Sequence, residues 1–304
     1  MQPTKCFALT RGFFLAAILA APAWGQTLAP RAARPGTINY VEGRASLGTS
    51  SLNASSVGNL EMERDQVLTT EAGKVEILLT PGVFLRLADN SSLKMISPEI
   101  TKTEVQLDKG RALIEVVEIH GQNDIQIDES CGTIKLLRKG LYDIDADHHE
   151  VRVFNGSAEV TGADRKVTLA SNHKLVMSDD RLKPAHLDAR QYQDGFYRWS
   201  GLRSAYLSEA SVSAARSYIG TGPDWYGPGW IGSGWYWNPW FEVYTFLPPA
   251  GIIYGGFGWG FYSPIAVYWS PFAYFGNYPH RFGEFHYPYG HGFPPPIMRN
   301  RRGL

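Results

Sequence analysis

EVRVFNGSAEVTGADRKVTLASNHKLVM, residues 150–177, reads as four short strands in succession. Glu150–Phe154, Ser157–Thr161, Lys166–Leu169 and His173–Met177 are separated by Asn-Gly, Gly-Ala-Asp and Ser-Asn turn chemistry. Val151-x-Val153 alternates with period two, so one face of that strand is expected to be buried. The same grammar extends toward the N-terminus. Thr37–Val41, Lys74–Leu79, Val83–Leu87, Ser92–Ile96 and Glu104–Leu107 read as strands, followed by Arg111–Val117, Asp124–Ile127, Thr133–Leu137 and Leu141–Ile144. Turn-bounded strands at this spacing fit a sandwich, a barrel or a solenoid. No helix-period segments intervene, which excludes a parallel sheet built from βαβ units.

Lys and Arg total 29, as do Asp and Glu, in a chain of 304 residues with zero formal net charge. A polybasic nucleic-acid binder needs excess cation to neutralise phosphates, so no nucleic-acid partner is expected. Residues 1–25 read as a signal peptide: Lys5 and Arg11 precede the apolar run Phe13–Ala23, and Ala23-Trp24-Gly25 offers a cleavage site. The run is short for a membrane span, so export without a remaining transmembrane segment is expected, to the periplasm or the cell surface. Cys6 lies before the apolar run, where it cannot be a lipoprotein cysteine, and Cys131 is then the one thiol of the mature chain. One thiol forms no internal disulfide, and no C-x-x-C spacing suggests zinc.

Beyond a Pro/Ala/Arg-rich linker at 26–36 and the strand region at 37–182, the pattern changes. Over 187–218, Tyr192, Phe196, Trp199, Leu202, Tyr206 and Ala210 step by three or four, predicting an amphipathic helix with Asp188 near its start as a cap. That stripe is expected to face a core, with a partner-helix surface as the alternative. Residues 219–304 then hold seven of the nine Trp, ten of the sixteen Tyr and 12 of the 19 Pro, with three acidic and four basic residues. This region is expected to be a partly disordered aromatic tail.

Its tryptophans Trp225, Trp230, Trp235, Trp237 and Trp240 are the candidate binding residues, because large amphipathic rings suit sugars, peptides or lipid headgroups. Their spacing follows neither helix nor strand, and the competing reading is a small β-rich core made of the rings themselves. Gly227–Gly232 spells G-x-G-x-x-G but follows no βαβ strand and contains Pro228, so it is not a dinucleotide site. His148 and His149, among Asp145, Asp147 and Glu150, read as a solvated hairpin tip. His280, His286 and His291 with Glu284 lie in chain whose Gly/Pro content fixes no ligand geometry. No metal, cofactor or catalytic residue is expected, and the protein is not read as an enzyme.

From Gly36 to Met177 the chain resembles the FecR periplasmic domain family. The carrying residues are Gly36-x6-Gly43-x-Ala45-x-Leu47, Asp65-Gln-Val-Leu-Thr-Thr70 and Val83-Phe-Leu-Arg-Leu-Ala-Asp-Asn-Ser-Ser-Leu93. Val105-Gln-Leu-Asp-Lys-Gly110 and Val151-Arg-Val-Phe-Asn-Gly156 continue the match, while Arg64-Asp65 departs from the usual Gly-Asp. The resemblance implies a short twisted β-solenoid or roll. Family members that regulate extracytoplasmic sigma factors carry an anti-sigma domain and a membrane helix ahead of this domain. Neither is read here, so the resemblance points to the secreted form. Phe196-Tyr-Arg-Trp199, Asp224-Trp-Tyr226 and Gly234-Trp-Tyr-Trp-Asn-Pro-Trp240 resemble a Trp/Tyr-rich region that follows FecR domains in some secreted bacterial proteins.

The expectation is therefore a mainly β, exported, non-enzymatic envelope protein that binds an envelope protein or polysaccharide. A periplasmic sensor related to sigma-factor regulators and a carbohydrate-binding protein using the aromatic tail are the alternatives.

Overall fold

The computed structural model describes residues 32–162, 165–177, 182–219, 227 and 229–269. The expected signal peptide, most of the linker, Trp225 and the His280–His291 group lie outside the described residues. The strand region opens with β1 (Ile38–Leu47), β2 (Ser50–Ser51), β3 (Val67–Leu78), β4 (Val83–Leu87) and β5 (Ser92–Pro98). It continues through β6 (Lys102–Lys109), β7 (Arg111–Val116), β8 (Asp124–Glu129), β9 (Gly132–Leu136) and β10 (Gly140–Asp145). β11 (Glu150–Asn155), β12 (Ser157–Thr161), β13 (Lys166–Ala170), β14 (His173–Val176) and β15 (Ala185–His186) complete it. Helix α1 (Gly195–Ser217) follows, then hairpins β16 (Gly234–Asn238)–β17 (Val243–Leu247) and β18 (Ile252–Tyr254)–β19 (Gly260–Tyr262), and α2 (Pro264–Trp269).

Strands β1 to β15 form one sheet with the order β13-β12-β9-β8-β6-β5-β3-β4-β7-β10-β11-β14-β15, and β1 pairs along β3. Hairpin neighbours run antiparallel, while β6 and β8 run parallel. The pairing gives a mainly β fold and does not show the repeating coils of a solenoid. Gly156 alone joins β11 to β12, which stand near opposite ends of the strand order. Its φ of +96° is left-handed, and an added Cβ would lie 2.3 Å from the Tyr142 hydroxyl, so only glycine fits.

Two faces of this sheet are treated differently. Strands β5, β6, β8 and β12 alternate buried with more accessible positions. Their inward residues join Val83, Leu85, Leu87, Ile114, Ile144, Val151 and Val153 in one hydrophobic cluster. Strands β4, β7, β10 and β11 are buried on both faces. Their second face carries Phe84, Arg86, Leu113, Glu115, Leu141 and Phe154, and α1 with the two hairpins covers it. The aromatic region is thus a second layer on the sheet. Phe84 meets Trp235 at 4.7 Å and Phe261 at 5.7 Å between ring centroids.

At the centre of that junction lies a buried charge network. Glu76 on β3 accepts hydrogen bonds from Arg86 Nε, Arg203 Nη2 and Asn39 Nδ2, all at 2.9 Å. Arg86 Nη1 donates to Glu115 at 3.0 Å, and Ser204 of α1 donates to the other Glu115 oxygen at 2.8 Å. Asn39 also brackets Tyr244 of β17, donating to its carbonyl at 3.0 Å and accepting from its amide at 2.8 Å. Two carboxylates face two guanidiniums, so the cluster is neutral as a whole. The Arg86 and Glu76 side chains are fully buried.

This network explains the face that α1 turns inward. Ser200, Arg203, Ser204, Leu207, Ser208 and Ser211 are buried, while Leu202 and Tyr206 are exposed. The apolar stripe predicted for this helix therefore describes only part of its packed surface: small and polar side chains approach the sheet because the sheet presents charges there. Tyr262 N donates to Ser211 Oγ at 2.8 Å, and Thr245 Oγ1 donates to the Leu207 carbonyl at 2.6 Å. The α-helix begins later than 187. Asp188 caps a short 3-10 turn at Ala189–Tyr192, and Asp194 caps α1 by accepting the Tyr197 amide at 2.9 Å.

A second ionic cluster ties β7, β10 and β11 to the start of α1. Arg111 donates to both Asp143 oxygens at 2.7 Å and pairs with Asp194. Arg152 reaches Asp143, Asp145 and Glu150, and Lys174 binds Glu150 at 2.8 Å. Burial opposes ionisation of Glu76, but the Arg203 and Arg86 guanidiniums outweigh it and hold its carboxyl below the usual range. Asp145 and Glu150 behave alike: burial opposes, and hydrogen bonds from His148 and Arg152, or from Lys174 and Arg152, prevail. A carboxylate with a depressed folded-state pKa stabilises the fold above its unfolded value, and that contribution is lost as pH falls. Thermal midpoints are expected to be level from about pH 5 to 7 and to drop steeply below about pH 4. Arg203→Ala, which leaves Glu76 short of a partner, is expected to cost roughly 3 kcal/mol in urea unfolding.

Candidate functional site

The second layer does more than cover the sheet. Where β1, the 3-10 turn Ala54–Ser56, α1 and the β16–β17 hairpin meet, they leave a groove of about 720 Å³. Its walls are Tyr40, Trp199, Tyr206, Trp237 and Phe241, with Leu202 on the rim and Glu42, Arg203 and Glu242 as the charged groups. This volume falls in the range of small-ligand clefts, and aromatic walls with a few polar groups are their usual lining.

Each ring is held in place. Trp199 donates its indole N–H to Glu42 at 2.8 Å and stands 6.1 Å from Tyr40. Tyr206 donates to the Phe241 carbonyl at 2.9 Å and meets the Phe241 ring edge-on at 5.0 Å. Burial pushes the Tyr206 phenol above its usual range, so it stays a neutral donor at physiological pH. Arg203 lies 4.0 Å above the Tyr40 ring while its Nη2 is committed to Glu76, which couples the groove to the network beneath it. Trp237 packs on Tyr244 at 5.1 Å and sits so close to Gly58 that a Cβ there would lie 2.7 Å from the indole. Glu242, at the hairpin turn beside the groove, has a left-handed φ of +52°.

The five candidate tryptophans are not one surface. Trp237 lines the groove, and Trp240 projects from the hairpin turn at 87% exposure. Trp235 is half-buried against Phe84, with its indole N–H buried and without a hydrogen-bond acceptor. Trp230 stacks on Tyr236 at 5.3 Å. Trp225 lies outside the described residues. Sequence reasoning passed over Tyr40 and Phe241, whose neighbours in the chain give no sign of the groove. Trp199, Leu202 and Tyr206 were legible as a helix stripe, and three-to-four spacing was the signal that placed them on one face. These placements predict different costs. Trp240→Ala is expected to change unfolding free energy by less than about 0.5 kcal/mol. Trp237→Ala is expected to cost roughly 2 kcal/mol, below the 3–5 kcal/mol of a fully buried aromatic.

Residues 65–159 match the family described as FecR protein. That segment runs from the turn before β3 to β12 and includes Glu76, Arg86 and Glu115. Two crystal structures of a proposed anti-sigma factor from Parabacteroides distasonis are also similar, at 15% identity and a TM-score of 0.36. The likeness covers 41% of this chain and 61% of theirs. Among curated proteins none matches the chain. Among the described residues no helix is long and apolar enough to cross a membrane. The chain carries a FecR-like strand domain, and the match stops short of the helix and hairpins that complete the groove.

Proposed function

We propose that the protein is an exported, non-enzymatic binding module of the bacterial cell envelope, and that the aromatic groove is its contact surface. The observation that carries this reading is the set of rings held at a junction of four elements, each by a hydrogen bond or a ring contact. Preorganised aromatic surfaces bind at low entropic cost. The polar groups favour contact over proton transfer: Glu42 is engaged by Trp199, and Arg203 by Glu76. An envelope polysaccharide is the occupant this chemistry suits, since sugar rings present apolar faces to aromatic side chains and hydroxyls to Glu242 and to Asn59, which also lines the groove. The signal-like segment at residues 1–25 supports export to the periplasm or cell surface. Near-opposite ends of the strand order are joined by Gly156 and by the turn Ser171–Asn172, which supports reading the sheet as a roll that serves as a rigid platform.

A periplasmic signalling component related to sigma-factor regulators is the second reading, favoured by the FecR match at residues 65–159. In that case the groove receives a segment of a partner protein.

The test is co-sedimentation of the purified chain with peptidoglycan, insoluble polysaccharides and outer-membrane vesicles, alongside Leu202→Glu. Leu202 is 49% exposed on the groove rim, so this change leaves stability within about 0.5 kcal/mol. Binding to a polysaccharide that weakens at least tenfold, about 1.4 kcal/mol, in the variant supports the proposal. Binding unchanged by Leu202→Glu removes the groove as the contact surface. Capture by vesicles alone would favour the partner-protein reading.

A further inference from the structure

Away from the groove, two hairpin turns bring together three side chains of different ligand chemistry. Glu129 ends β8, Cys131 lies in the two-residue turn into β9, and His149 closes the turn between β10 and β11. One ligand atom from each (a carboxylate oxygen, the thiol sulfur and an imidazole nitrogen) lies within 4.8 Å of the other two. We propose that Glu129, Cys131 and His149 bind a borderline-soft divalent cation of the zinc class.

The donor set argues for that class. Thiolate, imidazole and carboxylate together are zinc ligands, whereas calcium and magnesium take oxygen alone. Around a tetrahedral zinc, ligand atoms stand about 3.6 Å apart, as follows from bonds of about 2.0–2.3 Å. Separations within 4.8 Å exceed that spacing by at most about 1.2 Å, and the direct Glu129–His149 contact opens to admit the ion, movements within the reach of side-chain rotation. Three protein ligands leave a fourth position for water or an exogenous group. Cys131 and His149 are half-buried, so the site faces both the core and solvent.

The surroundings hold the ligands in position. The Glu129 side chain is almost wholly buried, and its Oε2 accepts the Cys131 amide at 2.9 Å. Its other oxygen is in direct contact with His149 Nδ1. The Glu129 carboxylate is thus fixed by a backbone amide on one oxygen and faces the imidazole with the other. The His149 backbone is anchored as well, with its carbonyl accepting the Met177 amide at 2.7 Å and its φ at +51°. Neighbouring charges are otherwise engaged: Asp145 pairs with His148 and Arg152, and Asp147 accepts the Gly110 amide. No ligand pair is close in sequence except Glu129 and Cys131, which is why spacing rules do not reveal the site.

Cobalt(II) is the probe, because thiolate ligation gives a near-ultraviolet charge-transfer band that oxygen and nitrogen ligands do not. The purified chain is titrated with cobalt, alongside Cys131→Ser and His149→Asn. Asparagine tolerates the left-handed backbone at 149, so that variant keeps its turn. The proposal predicts a saturable band in the unaltered protein, bleached by zinc, lost in Cys131→Ser and weakened at least tenfold in affinity in His149→Asn. Thermal unfolding without metal checks that both variants fold. An absent band, or one that His149→Asn leaves unchanged, overturns the site. Cobalt held only by the histidines at 280, 286 and 291 would give no thiolate band and counts against it.

Discussion

The Arg86 guanidinium, fully buried between Glu76 and Glu115, is the constraint to which the rest of the structure answers. A buried charge is tolerated only when paired and hydrogen-bonded, and two carboxylates around one cation leave one negative charge in excess. Arg203 of α1 supplies the missing positive charge, and Ser204 adds a donor to Glu115. The sheet alone would leave this group of charges on an open face. The helix is thus required by the electrostatics of β3, β4 and β7, and with it come the hairpins that pack on the helix and on Phe84.

This coupling explains why a FecR-like domain here continues into an aromatic region. Arg203 neutralises Glu76 and also lies over Tyr40, where it forms part of the groove. The position of the groove's rings consequently depends on a charge network that lies beneath them. A ligand in the groove would meet a surface whose geometry the strand domain sets through Arg203. The sites are separable by chemistry: the groove offers aromatic contact, while Glu129, Cys131 and His149 offer metal ligation.

Much of the strand domain was legible because its cause is local. Val83–Leu87 and Ser157–Thr161 carry turn residues at both ends, and the observed strands have those same bounds. The role of Arg86 was not legible, since an arginine within a strand reads as an outward, solvated residue until a second layer is known. The helix showed the limit of hydrophobic periodicity. Its stripe put Trp199 and Tyr206 on one face, yet the face packed on the sheet contains Ser200, Ser204, Ser208 and Ser211, chosen by partners more than 80 residues away in the case of Glu115. The tail gave no periodic signal at all: β16–β19 are held by Phe84, Asn39 and α1, none of which is local. Trp237 was identifiable as a binding candidate from its ring alone, while Tyr40 gained its meaning only from the approach of Arg203.

The central claim is that the FecR-like sheet and the aromatic layer form one cooperative unit joined through buried charges. All tryptophans among the described residues lie at 199 or later, so indole fluorescence reports the second layer. The β-sheet amide I infrared band, recorded in carbon-13 urea, reports chiefly the strands. Urea unfolding followed by both signals on one sample tests the claim most directly. The account predicts a single coincident transition, with the two midpoints shifting together in Arg203→Ala. Loss of the fluorescence signal at a lower urea concentration than the strand signal, in the unaltered protein, would contradict it and return the aromatic region to the status of an independent tail.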